Sequence, residues 1–467
     1  METVPLRHHR TGEQVAELSQ ANTGLVTQDF QGIKDARKAL AAISTEELLQ
    51  ICRDAGQHFM EGTLSIGVGE DPQSPDDYLN QLSATTGLPL VLCKKNLEKI
   101  HTVLTEMETV LDGLTRGLKY SVLDHGYDIQ DGRPLSYFPT ADCLGVILPS
   151  QSPGVDSLWL PAIALKIPLL LKPGREDPWT PLRIAQALIQ AGAPAEAFGF
   201  YPAARSGTAE ILKLSGLSML FGDATTTTAW AFDPRVQVHG PGYSKVILGA
   251  DLADHWENFL DLMITSILEN GGCSSVNASA IWVTKNGREI AEALGERLAM
   301  VPPRPAEDPE AQLAAFPQPR IAEQISAHID QDLRVSGAEE ITAKHRIGKR
   351  VVRDGECAYL MPTVIYCENA SHPLANREFL FPYASVIEAP LGEIPDLIGP
   401  TLAVTVLTED ESFIQALLGS SNVQRLNVGA IPTCQVSWDQ PHEGNLFEHL
   451  YQQRAIQHQS AARAATL

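Results

Sequence analysis

From residue 144 onward the chain alternates short β-rich runs with helical ones, and this alternation constrains the fold more than any other feature. The β-rich runs are LGVIL at 144–148, PLLLK at 168–172, FGFY at 198–201 and SMLF at 218–221, with amphipathic stretches near 155–166, 181–191 and 207–214 between them. Strands separated by helices must be joined by crossovers, so the succession predicts a parallel sheet in an α/β domain. The stretch at 181–191 is well punctuated: Thr180 can cap it, Pro181 takes the first helical position, and Gly192 and Pro194 follow its end. A second strand–helix series starts at SKVIL (244–248). It continues with a helix at 256–268, a strand at 280–284, a helix at 287–300, a Pro- and acid-rich insertion at 301–310, and strands near 351 and at 360–366, 383–388 and 402–407. Two α/β domains joined near residue 245 are expected. The first third reads helical instead, in patterns at 33–60 and 92–118 around a Gly/Pro/Asp-rich loop at 62–77. Gly67 and Gly69 in that loop lack the strand-to-helix setting of a phosphate site.

A net charge of −22 over 467 residues repels a phosphate backbone, so nucleic acid is excluded as a partner. The basic cluster at 344–353 (KHRIGKRVVR) alternates with apolar residues as an exposed strand would. The longest apolar run, 158–171, is interrupted by Lys166 and falls short of the roughly twenty residues that a membrane span needs. The start, METVPLRHHR, has no apolar core of a signal peptide, so the expected location is cytoplasmic. Seven scattered cysteines with no C-x-x-C pair argue against a disulfide framework and against a metal site, leaving one reactive thiol at most.

Open α/β sheets take nucleotides at the carboxyl ends of their strands, here 149–153, 172–177 and 222–228. Neither G-x-G-x-x-G nor a P-loop is present. In order along the chain stand LPSQSP (148–153), LKP (171–173), FGDA (221–224), NGGCSS (270–275), PTV (362–364) and REFLFP (377–382). This series resembles the aldehyde dehydrogenase superfamily from about Gly132 to Pro441. The GPG turn at 240–242 and the helical N-terminal region with Thr85-Thr86-Gly87 resemble most closely its acylating and fatty acyl-CoA reductase-like members.

The resemblance implies an α/β fold with a helical N-terminal part (1–131), a small oligomerisation hairpin (132–142), a Rossmann-type NAD(P)-binding domain (143–244), a catalytic α/β domain (245–430) and a returning C-terminal segment (431–467). It implies a homodimer or higher oligomer, NAD(P)(H) as cofactor, and an aldehyde or acyl thioester as substrate. On the cofactor side, Lys172 would hold the adenosine ribose, Gly222 would admit the backbone, and Glu378 would bind the nicotinamide ribose. Pro149 and Gln151 belong to the adjoining strand-end loop, where Gln151 takes the place of an oxyanion-hole asparagine. Arg175 stands where relatives carry an acid, and a guanidinium there suits a 2′-phosphate.

On the catalytic side, His239 replaces the general-base glutamate, and imidazole can serve as a base. The family spacing N-x-G-x-x-C, counted from Asn270, puts Ser275 at the nucleophile position, whereas Cys273 is the only thiol in the loop. Three readings stay open: an acylating oxidoreductase working through Cys273, a chain whose nucleophile is missing and which serves in binding, and a hydrolytic enzyme using His239. Asn270 or Gln151 would steady the oxyanion. The loop 441–445 (PHEGN) reads as exposed and polar, with His442 and Glu443 as substrate-side groups the alternative, and the Ala/Gln-rich tail from Gln457 reads as frayed.

Overall fold

The alternating runs form a parallel sheet. The computed structural model describes residues 2–66 and 72–457, so Gly67, Gly69 and the tail beyond Gln457 lie outside the described residues. Strands β1 (Cys143–Ile147), β2 (Leu169–Lys172), β3 (Phe198–Phe200), β4 (Gly216–Phe221) and β5 (Val236–His239) lie in the order β5-β4-β1-β2-β3. All neighbours pair in parallel. The strand order reverses between β1 and β4, and the crevice outside such a reversal is where open α/β sheets bind ligands. Every residue of β1 is buried, as a strand covered on both faces requires.

The second series builds a seven-stranded sheet from β6 (Lys245–Leu248), β7 (Ala280–Val283), β8 (Ala338–Glu340), β9 (Thr363–Cys367), β10 (Tyr383–Glu388), β11 (Thr401–Leu407) and β12 (Val423–Val428). Its order is β8-β9-β10-β7-β6-β11-β12, parallel except for β8 at the edge. Buried apolar side chains cover both of its faces. The helical N-terminal region packs on the first sheet, where Leu48, Phe59 and Ile100 share one core with Leu144, Leu171 and Leu188.

Several expected boundaries move, each for a local reason. The pattern at 33–60 is two helices, Ile33–Ala41 and Thr45–Glu61, because Ser44 is extended and its hydroxyl accepts from the Glu47 amide at 3.2 Å. The pattern at 92–118 likewise divides into Leu90–Thr105 and Met107–Thr115. The stretch near 155–166 is a 3₁₀ segment, Pro153–Leu158, followed by the single turn Pro161–Ala164. Thr180 lies inside the helix Trp179–Gln190 rather than capping it; the Asp177 carboxylate accepts from its amide at 3.0 Å. The strand expected at 360–366 is cut at Pro362, which has no amide hydrogen to pair, into Cys357–Leu360 and β9. The basic cluster is an exposed strand only at its end, Val351–Asp354. Arg346 and Arg350 turn inward and both pair with the half-buried Glu340.

The expected hairpin is present and begins earlier than residue 132. Tyr127–Gln130 pairs with Arg133–Pro139 through a two-residue turn in which Asp131 (φ 51°) and Gly132 (φ 76°) are both left-handed. A late strand, Tyr451–Gln453, adds to it; the sequence reading missed this three-residue element. Among the described residues no helix is long and apolar enough to cross a membrane, and no cluster of three His, Cys, Asp or Glu side chains is placed to hold a metal.

Candidate active site

After the helix Leu260–Leu268 the chain makes a tight turn through three left-handed residues, Asn270 (φ 53°), Gly271 (φ 67°) and Gly272 (φ 68°). Gly272 is required there, since a Cβ would lie 2.4 Å from the Phe381 carbonyl carbon. The turn drives Cys273 inward. Its thiol faces the carbonyls of Gly271 at 3.4 Å and Leu380 at 3.7 Å, and burial pushes it up to about 12. Burial thus disfavours the thiolate, the form in which a cysteine attacks, at this candidate nucleophile.

Two residues on, Ser275 faces the opposite way. Its hydroxyl donates to Glu443 Oε1 at 2.7 Å, and His239 Nδ1 lies 3.0 Å from Glu443 Oε2. Burial alone would raise the Glu443 carboxyl, but the His239 hydrogen bond, the neighbouring imidazoles and the Ser275 hydroxyl hold it down at about 2. The loop that supplies it is not an exposed polar one, as its composition suggested. The side chains of His442 and Glu443 are 7% and 9% exposed, and Glu443 is held at φ 54°. Burial takes His442 down to about 3, so it is neutral. His239 stacks on Phe221 at 4.3 Å, and its Nε2 is buried without a partner. The structure thus brings His239 and Ser275 together through Glu443, whose only trace in the sequence was the P-H-E-G-N string.

A cavity of about 290 Å³ opens beside this cluster, walled by Asn270, Ser274 and Val276 from the turn, by Lys99 from the helix Leu90–Thr105, and by His442 and Glu443. Asn270 Oδ1 accepts from Asn96 at 2.7 Å, which leaves the Asn270 amide hydrogens for the cavity. Gln151 does not supply a donor here. Its amide is used between the carbonyls of Thr86 at 3.2 Å and Ala315 at 3.3 Å.

The GPG turn lies against the same loop. A Cβ on Gly242 would fall 2.1 Å from the Ser275 carbonyl oxygen. Glu378 accepts from the Gly242 and Tyr243 amides, and burial raises its carboxyl to about 7. Lys245 donates to the Tyr243 carbonyl at 2.6 Å and to the Thr401 hydroxyl at 3.1 Å, and burial lowers it to about 7.

At the strand ends of the first sheet, Gly174 packs so close to Pro149 that a Cβ would lie 2.2 Å from the Pro149 carbonyl oxygen. Lys172 stands beside this contact, half-buried, with its charge disfavoured by burial and no ion-pair partner among the described residues. Gly222 precedes the short turn Ala224–Thr227, whose first amides are already served: Asp223 Oδ1 accepts from the Thr226 amide at 2.9 Å and the Thr225 hydroxyl at 2.8 Å. Arg175 is exposed and lines a separate groove of about 440 Å³ with residues between 5 and 12 and of 317–320. A free ammonium at a strand end fits the sugar portion of a nicotinamide dinucleotide. Where phosphate would meet a helix N-terminus, the chain's own Asp223 carboxylate stands.

A parallel sheet with a strand-order reversal, set beside a second α/β domain whose tight turn lines a cavity near the first sheet's β5, defines a two-domain α/β protein with a cleft between sheets. Residues 143–393 match the model of the aldehyde dehydrogenase family, and the chain belongs to that family. It is 24% identical over 402 residues to betaine aldehyde dehydrogenase of Cereibacter sphaeroides, covering 82% of this chain and 76% of that protein. Among solved structures it resembles indole-3-acetaldehyde dehydrogenase complexed with NAD+ (TM-score 0.80, 15% identity, 97% of this chain and 92% of that one). It also resembles an NADP-dependent enzyme of E. coli (TM-score 0.77, 17% identity, 97% and 95%).

Proposed function

We propose that this protein holds a small aldehyde or acyl compound beside a nicotinamide cofactor, in a site where thiol-dependent acyl chemistry has been lost. One observation carries the reading: the Ser275 hydroxyl reaches the Glu443–His239 pair, whereas the Cys273 thiol, two residues away, points into backbone carbonyls. A serine hydroxyl is a weak nucleophile unless a base takes its proton. The neighbouring base is a carboxylate held at about 2, so moving the proton onto it is steeply uphill. His239 is one hydrogen bond further away and contacts Glu443, not Ser275. Lys172, and Glu378 once released from the GPG turn, would hold the cofactor's sugars, and Arg175 favours a 2′-phosphate by its charge. When bound, the cofactor supplies hydride transfer. Asn270 would donate to the carbonyl oxygen, while the Ser275 hydroxyl stays donated to Glu443 at the edge of the cavity. The cavity lies at the lower edge of the about 300–1,000 Å³ usual for ligand pockets, which favours a small substrate over a long acyl chain.

The acylating reading stands second, supported by the GPG turn and by the absence of a carboxylate at residue 239. It requires Cys273 as a thiolate. Iodoacetamide separates the two: Cys273 is expected to label no faster than the buried Cys367, with no protection by NADPH. Fast, NADPH-sensitive labelling of Cys273, with NADPH oxidation on addition of acyl-CoA, would restore the acylating enzyme. The hairpin at Tyr127–Pro139 is proposed as the contact of a homo-oligomer, which light scattering would report as a multimer in the parent and a monomer after its removal.

Asp223 supplies a test of the cofactor side. Its carboxylate is ionised, its pKa lowered by its Thr225 and Thr226 hydrogen bonds despite partial burial. Asp223→Ser keeps a capping oxygen and removes the charge, so NADPH binding followed by fluorescence is expected to tighten roughly two- to five-fold. Unchanged or weaker binding would mean that the phosphates lie elsewhere.

A further inference from the structure

Six of the seven cysteines are buried, and the seventh, Cys434, opens on the cavity that Asn270 and Ser274 wall. It follows β12 on a turn that the Gln435 amide closes by donating to the Pro432 carbonyl at 3.0 Å. The turn is tied to the helix Leu260–Leu268, since the Thr433 amide donates to the Ser266 hydroxyl at 3.2 Å. Ser266 also holds the opposite wall: its carbonyl accepts from the Asn277 side chain at 3.2 Å, and Asn277 accepts from the Ser274 amide at 2.9 Å. One helix end therefore fixes the thiol and the Asn270–Ser274 turn relative to each other. The thiols of Cys93, Cys143, Cys273 and Cys357 each donate to a backbone carbonyl, whereas that of Cys434 donates to none among the described residues. Burial and the Glu269 charge raise it to about 11, while Lys95 and Lys99 pull the other way. The wall carries these two lysines against three glutamates, Glu98, Glu269 and Glu443, so it has no surplus cation to attract an anion.

A second group on the same wall points independently to a neutral, hydrogen-bonding ligand. The His442 side chain is 7% exposed, and neither ring nitrogen has a hydrogen-bond partner among the described residues; Nε2 lies 3.9 Å from Glu443 Oε1. A neutral imidazole carries one donor and one acceptor nitrogen, and burying both unbonded is costly. We propose that Cys434 is the thiol with which this cavity captures its aldehyde, as a reversible thiohemiacetal. The sulfur–carbon bond forms as the carbonyl π bond opens, and the thiol proton ends on the former carbonyl oxygen, so neither oxidant nor reductant takes part. No group leaves the carbon, so the step is capture and not acyl transfer. The new hydroxyl both donates and accepts, which suits His442 in either tautomer. The high pKa of the thiol slows the attack, since the thiolate is the attacking form, but does not oppose the adduct, because thiol and product hold the same proton. The proposal rests on the carbonyl-site reading above and adds the group that holds the carbonyl carbon.

The test is carbon NMR of butanal labelled at its carbonyl carbon, with calorimetry of the same mixture. The parent is expected to give a protein-bound saturated-carbon signal distinct from that of the free hydrate. Cys434→Ser, nearly equal in size, is expected to lose this signal, and Cys273→Ala to keep it. In the parent, iodoacetamide is expected to alkylate Cys434 at least about ten-fold faster than the buried Cys367, and saturating butanal to slow that alkylation by a similar factor; this arm decides alone if Cys434→Ser does not fold. Calorimetric binding without a saturated-carbon signal, a signal that survives Cys434→Ser, or alkylation that butanal does not slow would overturn the capture assignment and leave the carbonyl-site reading standing. Failure of butanal to bind at all would overturn both.

Discussion

Ser275→Cys is expected to confer NAD(P)+-dependent oxidation of a small aldehyde at least about 10²-fold above the parent chain. The substitution removes nothing that the fold needs, because sulfur replaces oxygen at a half-buried position whose one side-chain bond goes to Glu443. It adds a group of which a few per cent is thiolate at neutral pH even without help. The Glu443 charge opposes that thiolate, so the gained activity is expected to climb with pH, and the double variant Ser275→Cys/Glu443→Gln to shift the profile towards acid. Cys273→Ala in the same background should leave the rate within about two-fold, since that thiol faces Gly271 and Leu380. If the parent already turns over and Cys273→Ala abolishes it, the loop has been read in the wrong register.

Residue counting from Asn270 placed Ser275 at the position the resemblance gives to the nucleophile, with Cys273 as the alternative. Residue counting did not reveal that Cys273 faces away, because this depends on three consecutive left-handed residues whose conformation is fixed by contact with Phe381, more than a hundred positions later. His442 and Glu443, open in the sequence to a role beside the substrate, read rather as an exposed loop for a related reason. A histidine and a glutamate between a proline and a glycine are the composition of a surface loop, and only tertiary contact with β5 and with the Ser275 loop buries them. The parallel sheets were legible because their apolar runs are bounded by Gly, Pro and helical periods. Those signals are local. Gln151 and Arg346 illustrate the limit from the other side: a polar side chain read as free for ligand or solvent was already committed to distant partners.

Two buried carboxyls, Asp156 and Asp177, are expected to cost the protein stability as pH rises from 5 to 8, against the usual direction for carboxylates. Asp156 and Asp177 are 2% and 3% exposed at the junction between the helical region and the first sheet. Asp156 accepts from the Trp159 indole at 2.7 Å, and Asp177 from the amide and hydroxyl of Thr180. Among the described residues no cation offsets either. Burial raises Asp177 to about 7, and burial together with the Asp177 charge takes Asp156 well above its ordinary range. In the unfolded chain both lose their protons near 3.8. Between those values the folded state holds more protons than the unfolded state, so stability falls with rising pH, and Asp177 alone accounts for about 4 kcal/mol lost by pH 8. Asp177→Asn keeps an acceptor for the Thr180 amide and cannot ionise. It is expected to melt several degrees above the parent at pH 8, and level with it or below at pH 5, where the parent's own carboxyl is already neutral. Thermal denaturation at both pH values decides this. Equal pH slopes for parent and variant would show that Asp177 is ionised and compensated in the folded chain, and that the helix Trp179–Gln190 is capped by a carboxylate rather than by a carboxylic acid.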